Sequence, residues 1–466
     1  MRWLILTGYL AVAISVTVHA LFKQSNVRTA LGWIGIAWFS PFLGAFLYYV
    51  FGINRVARRA VKLERTNITR RRSSNVKGLQ SRPQNIGLLA ELGLEITGHS
   101  VLAGNRLSLF CNGDEAYPAM LSAIREAEKS VALASYIFRN DEIGRMFIAA
   151  LAEARSRGVE VCVLLDGIGS GYFSSAVPRR LRAANISAER FLHSWLPWRM
   201  PFLNIRNHKK LLIVDGKIGF TGGMNIGAEY SATHASDARV DDVHVRLEGP
   251  VVGQLMESFA QDWSFTTDQV LNQDIWWPMI EPAGSIYARG ISSGPDAEMN
   301  KLEILIGAAL VLARRKIRIV TPYFLPDQNL QFALAQAKLR GVAVDIVIPE
   351  HCDFAFVDWA MRAHLRYLLD DFTVVYATKA PFDHAKLMTV DGEWALVGSS
   401  NWDVRSLRLN FELDVECYGE AVTAEIDALI DKKIARSRKL DRLTLMQASK
   451  WAQLRDAAAR LFLPYL

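Results

Sequence analysis

Two stretches of the chain carry the same side chains in the same order. NHKKLLIVDGKIGFTGGMN begins at Asn207 and DHAKLMTVDGEWALVGSSN at Asp383. Each holds His-x-Lys-x4-Asp followed by a small-residue turn and an asparagine: His208, Lys210, Asp215 and Asn225 in one, His384, Lys386, Asp391 and Asn401 in the other. On an extended strand side chains alternate, so His208 shares a face with Lys210, and His384 with Lys386. The aspartates lie an odd step from their histidines and precede a glycine, which is a hairpin-turn signal. They complete the candidate catalytic motif, but their position assigns them to turn and scaffold. The histidines at 19, 99, 193, 234, 244, 351 and 364 lack the pattern. At average composition one histidine would match in about 0.4% of cases, so two matches at corresponding places are not coincidence.

Two imidazoles, two ammonium groups and two amides suit a phosphate. A neutral imidazole is a nucleophile, and a protonated one can deliver a proton to a leaving alkoxide. Lysines and asparagines would hold the nonbridging oxygens as charge redistributes. A phosphohistidine intermediate would divide the displacement into two steps. Zinc is the rival use of paired histidines, but a tetrahedral site needs more ligands than two imidazoles without a thiolate. The expectation is therefore a reaction without metal or cofactor. Cys111, Cys162, Cys352 and Cys417 show neither metal-ligand spacing nor a disulfide framework, and read as small apolar residues.

The elements that must position this set are repeated too. SYIFRNDEIGRMFIAALAEARSRGVEVCVLLDG and TPYFLPDQNLQFALAQAKLRGVAVDIVIPE both read as strand, amphipathic helix, strand. Tyr136 matches Tyr323, Gly158 matches Gly341, and His208 matches His384. So long a period means a duplicated α/β domain with parallel crossovers rather than a solenoid. The reading is a first half over 101–285 and a second over 286–466, divided near the Gly/Ser/Pro-rich stretch Pro282 to Pro295.

The 466 residues are 51% hydrophobic with a net charge of +7, which suggests an anionic partner. The first 54 residues decide for lipid over nucleic acid. Trp3 to Phe22 is uncharged and has the ~20 residues that cross a bilayer. Ala30 to Ile53 is a second uncharged run, so the pair reads as a transmembrane hairpin over 1–54 rather than a cleaved signal. Residues 55–100 then read as a basic juxtamembrane segment and linker, with Arg55, Arg58, Arg59, Lys62, Arg65, Arg70, Arg71 and Arg72 against Glu64 alone. Basic flanks stay in the cytoplasm, so both ends of the hairpin are expected there, with the basic cluster drawn to anionic headgroups. The aromatic stretch Phe191 to Leu203 and Trp276-Trp277-Pro278 read equally as core or as interfacial loops.

These motifs resemble those of the phospholipase D superfamily. From the hairpin to the C-terminal FLPYL the chain is similar to its bacterial cardiolipin synthases, through NGDEAYPAMLSAIREAEKSV, GVEVCVLLDGIGS, VTPYFLPD and VGSSNWDVRSLRLNFE. It departs from them at Asp370-Asp371-Phe372, where a glycine turn is usual, and at Arg239-Val240-Asp241-Asp242. The resemblance implies an α/β fold: two tandem phospholipase D-like α/β-sandwich halves with pseudo-twofold symmetry behind a transmembrane hairpin. It implies a phosphatidyltransferase of the bacterial cytoplasmic membrane that joins two phosphatidylglycerols into cardiolipin and glycerol. Neither nucleotide, metal nor nucleic acid takes part. By the same resemblance His208 attacks phosphorus and His384 handles the proton, although near-symmetry leaves the roles interchangeable. Lys210, Lys386, Asn225 and Asn401 would cradle the phosphate, with Ser399 an added donor. Glu412 would orient His384, and Asp242 would orient His208. Rival readings are a hydrolytic phospholipase D, a synthase with another acceptor alcohol, and a superfamily nuclease.

Overall fold

The computed structural model describes residues 2–23, 27–52, 84–171, 175–193, 205–232, 239–295, 300–368, 374–441 and 445–461. The basic run 55–72, the aromatic stretch from 194 to 203, residues 370–372 and the C-terminal FLPYL lie outside these. The chain divides into two compact units, one holding the apolar N-terminus and the other the two repeats.

In the repeat-bearing unit both crossovers are parallel. Ser130–Ser135 pairs with Glu160–Asp166 across the helix Glu142–Ser156, and Lys316–Val320 pairs with Ala343–Pro349 across Gln328–Leu339. The helices start alike, on aspartate caps. Asp141 accepts the Gly144 N–H at 2.9 Å and Asp327 the Leu330 N–H at 3.0 Å.

From its inner edge, the first half orders its strands Leu102–Cys111, Val243–Glu248, Ile218–Gly222, Leu211–Val214, Ser130–Ser135, Glu160–Asp166 and Ser187–Phe191. The second runs Ile286–Ser293, Glu412–Tyr418, Trp394–Gly398, Leu387–Val390, Lys316–Val320, Ala343–Pro349, Val374–Thr378 and Ser437–Lys439. The two inner strands pair antiparallel, so the halves share one 15-stranded sheet about a pseudo-dyad.

Each motif aspartate sits at a hairpin tip. Asp215 and Gly216 have φ of +52° and +62°, Asp391 and Gly392 of +57° and +73°, as a type I′ turn requires. Gly216 is also hemmed in, since a Cβ there would come within 2.9 Å of the Trp276 carbonyl. Trp276 is itself buried, which settles that residue as core.

The reading of residues 55–100 as linker gives way at its end. Gln84–Thr97 is a helix whose Ile86, Leu89 and Ala90 join the core of the second half beside Leu302 and Ile306. Buried Arg289, paired with Glu416, ties it down through the carbonyls of Ala90 at 3.1 Å and His99 at 3.0 Å.

In the N-terminal unit the two apolar runs take different forms. Arg2–Lys23 is a single helix, and it alone among the described residues is long and apolar enough to cross a membrane. The second run breaks at Ser40-Pro41 into Val27–Phe39, Pro41–Leu47 and a π turn over Tyr48–Gly52. Pro41 has no N–H for the preceding helix, so a new helix starts there. Gly44 then packs against the preceding helix so closely that a Cβ would lie 2.8 Å from the Ala37 Cα. The Trp33 and Tyr48 rings meet at 5.4 Å, and Tyr48 also reaches His19 at 2.8 Å, near the end of the first helix. Trp33 and Tyr48 would stand about 22 Å apart on a straight helix. The second run therefore folds back on itself.

Candidate active site

The two motif histidines stand just ahead of their strands, not within them. His208 precedes Leu211–Val214 and His384 precedes Leu387–Val390. Their backbones bond to the opposite half. The His208 N–H donates to the Phe411 carbonyl at 2.8 Å and the His384 N–H to the Asp241 carbonyl at 2.7 Å. Alternation holds across the motif. His208 and Lys210 face the site, while Lys209 turns away to Asp262 and Ser258 at 3.0 and 2.9 Å; the matching Ala385 has no polar group to satisfy.

Because Phe411 and Asp241 lie across the dyad, so do the residues that follow them. Glu412 Oε2 meets His208 Nδ1 at 2.9 Å, and Asp242 Oδ2 meets His384 Nδ1 at 2.7 Å. This reverses the expected pairing, in which Glu412 served His384 and Asp242 served His208. Each carboxylate is carried by one half and orients the other half's histidine. The physical reason is the short parallel pairing of Asn207 with Phe411 and of Phe382–Asp383 with Val240–Asp241, which exchanges the strand ends. Arg436 fastens the exchange, bonding Asp241 at 2.6 Å and Asp383 at 3.3 Å, with Lys433 on Asp383 at 2.7 Å.

With Nδ1 engaged, each imidazole leaves Nε2 for a substrate. Burial, then Lys210, Lys386 and Arg405, hold His208 well below its ordinary value, so it is neutral. Burial and Lys386 lower His384 to about 4 against the pull of Asp242. The carboxylates differ. Burial pushes Glu412 up to about 7 in spite of Lys210, whereas for Asp242 the opposing burial is outweighed by Lys386 and by the interaction with His384, and the net shift is downward. Burial also brings Lys210 to about 7 and Lys386 to about 8. Four basic groups packed together thus shed charge that a bound phosphate anion would restore.

The remaining expected residues divide. Asp215 accepts the N–H groups of Glu128, Lys129 and Ser130 at 3.0, 2.7 and 2.9 Å. Asp391 accepts those of Arg314, Arg315 and Lys316 at 2.8, 2.7 and 2.9 Å. Both are clamps on the neighbouring strand, which takes them out of the catalytic set. Ser399 donates to Glu412 at 2.6 Å, and its carbonyl meets His208 Nδ1 at 3.1 Å, so it positions the histidine pair. Both ends of the Asn225 amide are engaged, with the Ile137 N–H at 3.1 Å and the Tyr230 hydroxyl at 3.0 Å. Asn401 keeps a buried Oδ1 with no partner among the described residues. The sequence reading overlooked Tyr136 and Tyr323 as site residues. Their rings stand edge-on to His208 and His384 at 4.9 and 6.4 Å, and their match in the repeat was the available signal. Among the described residues no cluster of three metal-ligating side chains occurs.

The fold and the crossed His-Lys pairs define a duplicated phospholipase D-like enzyme. The family described as "Cardiolipin synthase, PLD-like domain" matches residues 120–263 and 306–434, and "Phospholipase_D-nuclease N-terminal" matches 11–52. The major cardiolipin synthase ClsA of Bacillus subtilis (strain 168) is 31% identical over 99% of both chains. A cardiolipin synthase of Oceanobacillus iheyensis is 30% identical over 99% of this chain and 98% of its own. A phosphatidylserine synthase from Haemophilus influenzae, 14% identical, shares the fold with a TM-score of 0.63 over 81% of this chain and 100% of its own. The chain belongs to the cardiolipin synthase family of phospholipase D-like enzymes.

The clamp geometry yields a prediction. Asp215→Ala and Asp391→Ala each remove three hydrogen bonds to backbone donors that are largely within reach of water, at about 0.5–1.5 kcal/mol apiece. Thermal unfolding should shift down by several degrees, while folded enzyme at low temperature keeps activity within about threefold. A drop of a hundredfold at unchanged unfolding temperature would return the aspartates to the chemistry.

Proposed function

We propose that the enzyme transfers a phosphatidyl group from one phosphatidylglycerol to another, with His208 as nucleophile and His384 as acid and base. The observation that carries the assignment is the inequality of the two carboxylates. Asp242 is the more fully ionised and pulls His384, which burial and Lys386 hold at about 4, back toward the imidazolium an acid needs, a form the charge of a bound phosphate favours further. Glu412 lies near neutral and leaves His208 uncharged, the form a nucleophile needs.

In the first step His208 Nε2 bonds to phosphorus, the bond to the glycerol oxygen breaks, and a proton from His384 leaves with the glycerol. In the second, His384 takes the proton of the second lipid's hydroxyl, that oxygen bonds to phosphorus, and the phosphorus–nitrogen bond breaks. Cardiolipin departs and both histidines return to their starting state. Lys210 and Lys386 hold the nonbridging oxygens. A site made of these groups needs no metal or cofactor.

The proposed location is the cytoplasmic membrane, with one complete crossing by Arg2–Lys23 and a re-entrant pair from Val27 to Gly52. Tyr48 at the level of His19 supports this, because it returns the chain toward the Lys23 end of the first helix. The basic residues 55–72 and the enzyme halves then face the cytoplasm, and the Arg2 end faces the opposite side.

Two outcomes test these readings. With a phosphatidyl ester of p-nitrophenol, whose leaving group needs no proton, His384→Ala should retain a burst of nitrophenol. On phosphatidylglycerol it should lose about 10²–10⁴-fold. His208→Ala should give no burst, and the opposite pattern would exchange the roles. For topology, a membrane-impermeant maleimide should label Arg2→Cys in intact spheroplasts, but Ser73→Cys only after lysis. Labelling of both only after lysis would restore a two-span hairpin.

A further inference from the structure

The turn Arg405-Ser406-Leu407-Arg408 carries two arginines with different surroundings. Arg408 is closed in by Glu303, at 2.7 Å to each oxygen, and by Asp327 at 2.6 Å, so it belongs to the scaffold. Arg405 is partly buried, and its guanidinium makes no hydrogen bond or ion pair with a described residue. The carboxylates that bear on it are committed elsewhere. Asp403 caps its own helix through the Ser406 N–H at 2.7 Å, and Asp166 accepts the N–H groups of Ile168, Gly169 and Asn207 at 2.9, 2.7 and 2.8 Å.

Arg405 is nevertheless rigidly placed beside His208. Its carbonyl accepts from Leu409 and Asn410 at 2.8 and 2.9 Å, and the Asn410 amide holds Glu412 at 3.2 Å, the carboxylate on His208. Arg206 approaches from the other side. Its carbonyl accepts the Phe411 N–H at 2.8 Å, and its guanidinium meets the hydroxyl of Tyr136, whose ring stands over His208.

The pseudo-dyad breaks here in charge. Opposite Tyr136, Tyr323 gives its hydroxyl to the carboxylate of Asp353 at 2.5 Å. The position matching Arg405, four residues beyond the motif asparagine, is Glu229, which is paired with Arg139 at 3.1 Å. The His208 side thus gathers two guanidiniums where the His384 side presents carboxylates. Lys210 and Lys386 already serve the reacting phosphate, so these two cations are surplus to a single phosphate.

We propose that Arg405 and Arg206 form a second phosphate subsite beside His208, which binds the phosphodiester of the acceptor phospholipid. This deepens the synthase reading and rests on it. Water and glycerol can attack a phosphatidyl-histidine, but only a phospholipid acceptor brings a second anion, one glycerol unit from its attacking hydroxyl. Two anions brought together repel in a low-dielectric site, and a planar guanidinium that forks onto phosphate oxygens offsets that repulsion. The subsite thereby favours lipid over water in the second step. The bond changes remain those given above, with the acceptor's proton passing to His384.

The test uses full-length enzyme in mixed micelles of phosphatidylglycerol with isotopically labelled glycerol. Exchange of glycerol into phosphatidylglycerol needs the histidines and lysines but no second phosphate, whereas cardiolipin formation needs both. Arg405→Gln should lower the ratio of cardiolipin formed to glycerol exchanged about tenfold and raise the share of phosphatidic acid. Arg405→Lys, which keeps the charge, should recover much of the ratio. An unchanged ratio in Arg405→Gln, with the two reactions intact or falling in parallel, would overturn the subsite, and measurable exchange shows that the variant is folded. Inorganic phosphate that inhibited cardiolipin formation in the wild type but not in Arg405→Gln, with exchange unaltered, would assign the site to a soluble anion and also overturn the proposal. Loss of exchange in the wild type itself would instead count against the synthase reading.

Discussion

Everything at the reacting centre depends on a backbone exchange. The amides of His208 and His384 are bound by carbonyls of the opposite half, at Phe411 and Asp241. The next residue along each of those strands, Glu412 or Asp242, then reaches the Nδ1 of the histidine so held. Neither half has a complete catalytic pair of its own, because its histidine lacks an orienting carboxylate until the other half supplies one. Arg436, which is exposed, bridges Asp241 of one half and Asp383 of the other, and buried Lys433 holds Asp383 in place.

The exchange also shows how duplication yields two different histidines. The backbone repeats closely, but side chains that differ by one methylene or one charge sit at matching places. Glu412 lies between Ser399, Asn410 and Lys210, and burial brings its carboxyl to about 7. Asp242 is held by Lys386 and by its own histidine, and stays lower. Arg405 stands where the first half has Glu229. A symmetric scaffold thus gives its two imidazoles unlike surroundings, as the proposed reaction asks of one nucleophile toward phosphorus and one donor of protons.

Much of this was legible in the sequence, for identifiable reasons. His-x-Lys is a period-two pattern and the Asp-Gly tips are a turn signal, so both hairpins and the scaffold role of Asp215 and Asp391 follow from local rules. The crossovers are local as well. The pairing of Glu412 and Asp242 was not legible, because proximity along the chain favours a histidine's own half and the exchange is a property of tertiary strand pairing. The break at Ser40-Pro41 was visible as Ser-Pro and a nearby glycine within an apolar run, but hydropathy is blind to chain direction. Whether such a run crosses or returns depends on contacts such as Trp33 with Tyr48. Arg405 was hidden for a different reason, since composition cannot separate a scaffold arginine such as Arg408 from one whose guanidinium meets no acceptor among the described residues.

The account's central claim is that the crossed carboxylates make His208 the nucleophile. The direct measurement is to mix wild-type enzyme with phosphatidylglycerol, quench within a turnover at alkaline pH, where a phosphoramidate survives, and map the adduct by mass spectrometry. The account predicts the phosphatidyl group on the peptide containing His208 and none on that containing His384. An adduct on His384, or rapid turnover with no adduct on either histidine, would contradict it.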